Sequence, residues 1–271
     1  MPTTQDALES PAKATVPDDH LHAAGRRAYD ALAPFYECYW GPAFVDDAVS
    51  MFNQFLAPHL PPSAHILDLC CGAGHFAAWA KSAGLQVTGV DVSQSMIGYA
   101  REKVSGSEFH VADMKSFRLS SDFSATVCFY NSINQVLTLE ALRSTLGTVA
   151  QHIQPDGWFL FDVVLEEGYA RSWHANELVT RDGVVCELTY QYDKHERLAI
   201  CHVTVRDAAA KSGTGSYEFF QRPHSLPTLQ KKLHQSGFDY VQVSSTGSLG
   251  PPDGRVAIMA RRSRYSIQRL E

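Results

Sequence analysis

Two rhythms of apolar residues run along this chain. Short unbroken runs alternate with stripes at helical spacing. Ile66-Leu67-Asp68-Leu69 is mostly apolar without alternation, which predicts a strand buried on both faces. Gly72 and Gly74 follow, then a helical stretch from Phe76 to Ala83 that Gly84 caps. Gln86 to Asp91 predicts a second strand, and Ser93 N-caps a helix reaching about Val104. Phe109 to Val111 and Ala125 to Phe129 predict further strands. Leu139 to Ile153 predicts a helix ended by Pro155-Asp156-Gly157, and Trp158 to Val163 a fifth strand. Strands alternating with helices predict an α/β fold, with a parallel sheet covered by helices on both faces.

The flanks differ. Leu21 to about Leu60 carries helical stripes, in which Pro34 is expected to kink or end a first helix and Pro61-Pro62 to close the segment. Met1 to His20 mixes Pro, Thr, Ser and Asp and is expected to be a disordered leader. From Glu166 to Arg222 the period becomes two. Val184, Cys186, Leu188, Tyr190 and Tyr192 alternate with polar residues after the hairpin signal Asp182-Gly183. Leu198 to Val205 and Tyr217 to Gln221 continue an antiparallel meander. The α/β rhythm then resumes, with a helix over Leu226 to Ser236 and strands over Tyr240 to Val243 and Val256 to Met259. The expected division is a leader (1–20), a helical lid (21–60), an α/β domain (61–165 and 223–271) and an inserted β cap over the substrate site (166–222).

Composition narrows the function classes. The chain has 271 residues, 45% hydrophobic and 19% charged, as a globular fold requires. Its net charge of −6 argues against gripping nucleic acid through phosphates. The run Arg261-Arg262-Ser263-Arg264 is expected to be a solvated tail rather than a membrane patch. The six cysteines form no CxxC, so no metal site is expected, and four lie in core-like stretches. With no apolar run long enough to span a bilayer, the expectation is a cytoplasmic protein without membrane partners, for which a homodimer is allowed.

The chemistry gathers at strand ends. Asp68 precedes the glycine turn Gly72-Ala73-Gly74, which follows a strand and opens a helix, so a ligand can approach the backbone closely. Asp91 lies roughly 20 residues further on, where an acid can accept from both hydroxyls of a ribose. Asp113 follows the third strand and can accept from an adenine amino group.

This ordered set resembles the class I S-adenosylmethionine-dependent methyltransferases, over about Tyr29 to Arg261. The resemblance implies a Rossmann-like, doubly wound, mostly parallel seven-stranded sheet with an antiparallel terminal hairpin, plus the inserted β cap and the N-terminal helices. Cys70 stands where the family's first glycine is usual. By resemblance, Asp68, Cys70, Gly72 and Gly74 face the methionine part of S-adenosylmethionine, and Asp91 with Val92 the ribose. Met96, Asp113 and Met114 are placed around the adenine, and Tyr36 and Tyr130 complete the cofactor site. The product would be S-adenosylhomocysteine. Met114-Lys115-Ser116-Phe117, the segment from Asn131, and the cap resemble the small-molecule branch that includes sugar-amine N,N-dimethyltransferases. Gln135 stands where those enzymes usually have a histidine, so an amino-sugar substrate does not carry over.

The acceptor is expected beside the end of the fourth strand, with Tyr29, Asn131, Asn134, Gln135, His174 and Arg222 around it and Tyr130 or His224 as a base. Methyl transfer from a sulfonium is a direct displacement, so alignment and exclusion of water carry most of the catalysis. Two alternatives stay open. One is a regulatory protein that binds S-adenosylmethionine without chemistry. The other is an NAD(P)-dependent oxidoreductase, since Gly72-x-Gly74-x-x-Ala77 satisfies a dinucleotide fingerprint. Against the second, Asp68 would repel a pyrophosphate, whereas it would attract an ammonium group.

Overall fold

The computed structural model describes residues 18–120, 122–207, 214–246 and 254–264. Most of the expected leader lies outside the described residues. Asp18–Phe35 forms helix α1, so the leader's last three residues are helical. Pro34 sits one residue from the end of α1. The chain continues through a π-helical turn, Tyr36–Trp40, into α2 (Gly41–Met51), a second π-helical turn (Phe52–Leu56) and a 3₁₀ turn (Ala57–His59). Pro34 thus ends regular α-helix without ending helical winding. Its carbonyl accepts from Arg181 Nη1 at 2.7 Å, a tie across to the β cap.

The α/β body runs β1 (His65–Leu69), α3 (His75–Ser82), β2 (Gln86–Asp91), α4 (Gln94–Lys103), β3 (Glu108–Val111), β4 (Phe123–Cys128), α5 (Leu139–His152) and β5 (Ile153–Val164). A short helix, α6 (Glu166–Ser172), opens the insertion, where no helix was expected. The insertion continues with β6 (Asn176–Arg181), β7 (Val184–Asp193), β8 (Leu198–Asp207) and β9 (Thr214–Gln221). Helix α7 (Leu226–Gln235), β10 (Phe238–Ser245) and β11 (Arg255–Arg262) return the chain to the body.

The seven strands of the body lie in the order β10-β11-β5-β4-β1-β2-β3, and β6-β7-β8-β9 form a separate antiparallel sheet. Strands β1 to β5 pair in parallel, while β11 runs antiparallel to both β5 and β10. This is the expected mostly parallel doubly wound sheet with its terminal hairpin. Chain order reverses between β1 and β4, and ligands of such sheets bind outside that switch point.

Two local expectations are corrected. Pro155-Asp156-Gly157 is not a free turn. It lies within β5, where the register against β4 jumps from Phe123↔Ile153 to Ala125↔Trp158. A Cβ on Gly157 would lie 2.8 Å from the Ser124 carbonyl oxygen, so only glycine fits this close approach. Arg261 and Arg262 are not in a tail either. They end β11, and Arg262 donates to the Ile153 carbonyl.

Candidate active site

A cavity of about 340 Å³ opens at the switch point, within the size range of small-molecule sites. The sheet supplies its floor: Asp68 and Leu69 from β1, Val90 and Asp91 from β2, and the loops after β1, β3 and β4. Helix α1, the π-helical turn and α2 supply Tyr29, Tyr36 and Phe44, and the far strand of the cap supplies Phe219 and Phe220.

The loop after β1 is built to face this space. Cys70 takes φ +60°, a left-handed conformation that glycine adopts at little cost. The residue that departs from the family pattern therefore keeps the backbone shape and bears its strain. Burial and the Cys128 thiol beside it hold the Cys70 thiol protonated, the neighbouring thiol being the larger influence. Gly72 (φ +52°) has open space where a Cβ would point, the nearest atom being Met96 Sδ at 4.0 Å. Gly74 (φ +78°) instead packs on α4, where a Cβ would come within 2.9 Å of Ala100 Cβ. The two glycines do different work, one toward the cavity and one toward helix packing.

The three acids differ in environment. Asp68 is 3% exposed, and its Oδ2 is buried without a hydrogen-bond partner. Burial, reinforced by Asp91, pushes its carboxyl up to about 8. Asp91 accepts from the Gly72 and Ser93 amides, each at 2.9 Å. Burial still raises its pKa, partly offset by those bonds. Asp113 accepts from the Lys115 amide at 2.8 Å and lies 3.5 Å from the Lys115 ammonium. Val92, Met96 and Met114 line the same cavity.

Among the expected acceptor-side residues, Tyr29, Tyr130 and Gln135 line the cavity, and Gln135 Nε2 donates to Tyr29 Oη at 3.0 Å. Tyr130 takes φ +60°, and its hydroxyl is buried without a partner. Burial, reinforced by Asp68, raises its phenol far above the ordinary value. At neutral pH this group is a protonated hydrogen-bond donor rather than a base.

The structure places the other five outside the cavity lining. Asn134 is fully buried. Its amide exchanges bonds with both backbone groups of Val164 at 2.9 Å and also donates to the Arg222 carbonyl at 3.0 Å. His224 is buried against the Val136 carbonyl at 2.7 Å, and burial lowers its pKa, so it is a neutral packing residue. Arg222 Nη1 donates to the Glu196 carbonyl. His174 is exposed beside the Ala170 carbonyl. Asn131 points away, its Nδ2 donating to Gln221 Oε1 at 2.7 Å. All of these but His174 lie where β9 returns to the body.

Sequence reasoning missed Phe44, Phe219 and Phe220. Phe44 lies 5.5 Å from the Tyr130 ring, centroid to centroid. Its helical spacing signalled core packing, and only the tertiary fold shows that one edge of that stripe meets the cavity.

Comparison with known proteins fits this geometry. Residues 66–157 match the family model described as a methyltransferase domain. A dTDP-3-amino-3,4,6-trideoxy-α-D-glucopyranose N,N-dimethyltransferase from Streptomyces venezuelae is 27% identical over 205 residues, covering 72% of this chain and 81% of that protein. A methyltransferase structure from Clostridium acetobutylicum has a TM-score of 0.69 at 16% identity, covering 87% of this chain and 99% of its own. An amino pentose methyltransferase from Micromonospora echinaspora, bound to S-adenosylmethionine, has a TM-score of 0.63 at 20% identity, covering 87% and 97%. The matched domain and the strand order support a class I S-adenosylmethionine-dependent methyltransferase. The chain resembles the sugar-amine N,N-dimethyltransferases in particular. The residues present suit that cofactor. Asp68 offers an unpartnered buried carboxylate oxygen, Gly72 leaves the backbone open, and each Asp91 oxygen keeps a second lone pair.

Proposed function

We propose that this enzyme methylates a small molecule at nitrogen or oxygen, and that the cavity at the switch point holds both cofactor and acceptor. The observation that carries the proposal is the convergence of Asp68, Gly72, Asp91, Asp113 and Tyr130 on one cavity. S-adenosylmethionine supplies an activated methyl group on a sulfonium, so the acceptor needs only a lone pair aligned with it. Asp68 is the partner for the cofactor's ammonium group, Asp91 for its ribose hydroxyls, and Met96, Asp113 and Met114 for its adenine. Tyr130 is a hydrogen-bond donor beside the reacting atoms. The aromatic wall of Tyr29, Tyr36, Phe44 and Phe219 excludes water and favours a cationic sulfur centre. Residues 21–60 serve as a lid and 166–222 as a cap over the acceptor.

An amine acceptor is supported by the relatives, several of which are named as N,N-dimethyltransferases of amino sugars. The acidic net charge supports an enzyme that does not act on nucleic acid. Among the described residues no helix is long and apolar enough to cross a membrane. The test is transfer of a labelled methyl group to a panel of amino sugars, free and nucleotide-linked, beside hydroxyl-bearing counterparts. Label entering an amine is the expected result. Label confined to hydroxyl acceptors would remove the amine assignment, and no transfer to any acceptor would count against the small-molecule reading.

A further inference from the structure

The loop after β4 is held in an unfavourable shape. Tyr130 and Asn131 are consecutive residues with left-handed φ values of +60° and +50°, and neither is glycine. Such a pair persists only where surrounding structure imposes it. The imposing group is buried beneath the cavity. Asp162 of β5 is 0% exposed, and its Oδ2 accepts from the Asn131 amide at 2.8 Å. The same oxygen accepts from Arg255 Nε of β11 at 2.9 Å. Arg255 in turn is within electrostatic reach of Asp47 on α2, one turn beyond Phe44, which lies against Tyr130. On the other side, the Asn131 amide group and the Tyr169 hydroxyl both donate to Gln221 Oε1 at 2.7 Å.

We infer that Asp162 and Arg255 form a positioning pair that holds Tyr130 toward the reacting atoms. Asp162 fixes the strained peptide through the Asn131 amide, and Arg255 pairs with the buried carboxylate and aims it. Neither residue lines the cavity, so both act through the loop. Because Asn131 also bonds to Gln221, the cap and the lid side chain Phe44 reach Tyr130 through this one loop. The inference rests on the placement of Tyr130 beside the transferred methyl group.

The test needs no acceptor. The full chain is labelled with 3-fluorotyrosine, and the Tyr130 resonance is assigned among the 11 tyrosines with Tyr130→Phe. Fluorine spectra are recorded with and without saturating S-adenosylhomocysteine, whose affinity is measured by calorimetry. In Asp162→Asn the Tyr130 resonance is expected to shift or split, while that of Tyr240, exposed on β10 outside the cavity lining, stays in place, and affinity for S-adenosylhomocysteine remains within about threefold, roughly half a pH unit's worth of free energy. A merely structural role would lower the melting temperature but leave the Tyr130 signal of the folded, charge-conserving Arg255→Lys variant where it was. Arg255→Lys keeps the charge and serves if Asp162→Asn does not fold, and it is expected to move the same resonance. An unmoved Tyr130 resonance in Asp162→Asn, or in Arg255→Lys where only that variant folds, overturns the inference. A wild-type chain that binds no S-adenosylhomocysteine would sink the methyltransferase site instead, and the ligand-free spectra would still decide the positioning role.

Discussion

Asp68 sets the pH behaviour of the site. Its carboxyl is raised to about 8 by burial, from an ordinary value of 3.8. Between those values the folded ligand-free protein holds a proton that the unfolded chain has lost. This one group therefore makes stability fall as pH rises, by at most about 1.4 kcal/mol per unit, with no further change above about 8. Binding a cationic ammonium favours the ionised form, so affinity for S-adenosylhomocysteine is expected to improve about tenfold per pH unit up to about 8 and then level off. Calorimetry at several pH values measures this, and Asp68→Asn is expected to bind weakly with no such slope. A flat wild-type profile would show that Asp68 is already ionised or does not meet the ligand. The two loop glycines separate packing from binding. Gly74→Ala is expected to destabilise the fold by about 1–3 kcal/mol in urea titrations, because it adds strain and a clash with Ala100. Gly72→Ala meets no close atom in the protein, so its cost to stability is expected to be smaller and its main effect a loss of affinity.

At the scale of elements, side-chain contacts join the N-terminal helices to the small antiparallel sheet. Tyr29 of α1 lies 5.2 Å from the Phe219 ring on β9, and Trp40 Nε1 donates to Glu177 on β6 at 2.9 Å. With the Arg181 bond to Pro34, these contacts tie residues 29–40 to the small sheet, and the same segment lines the cavity. Amide hydrogen exchange over residues 21–40 is expected to slow when S-adenosylhomocysteine is added, with β6 slowing in parallel. Unchanged exchange there would mean the segment does not close on the cofactor. In the body, Phe159 of β5 is fully buried, stacked 4.6 Å from Phe161 and 6.1 Å from Phe238. Phe159→Ala is expected to cost about 3–5 kcal/mol in the same denaturation experiment.

For the whole molecule, the sheet was legible because its signals are local. Each buried parallel strand is a short apolar run, and each glycine turn sits beside the strand it ends. Asp68, Asp91 and Asp113 could be placed for the same reason, since a strand end fixes which way its loop faces. The acceptor side was not legible in that way. Asn134, Arg222 and His224 are polar residues in loops, and their sequence neighbours do not show that the cap's return strand folds over them. Their bonds to Val164, Glu196 and Val136 are long-range contacts that exist only after β5, β8 and β9 assemble. The strain at Tyr130 is equally invisible in sequence, because tyrosine does not announce a left-handed backbone, although Asn131 is a residue type that tolerates one.

The cavity at the switch point is assigned here to S-adenosylmethionine. Calorimetric titration of the purified chain with S-adenosylhomocysteine, with oxidised nicotinamide dinucleotide as control, tests it most directly. Saturable binding of S-adenosylhomocysteine alone, lost in Asp91→Ala, is the expected result. Binding of the dinucleotide instead, or of neither ligand, would contradict the assignment of the Asp68–Gly74 loop and every role built on it.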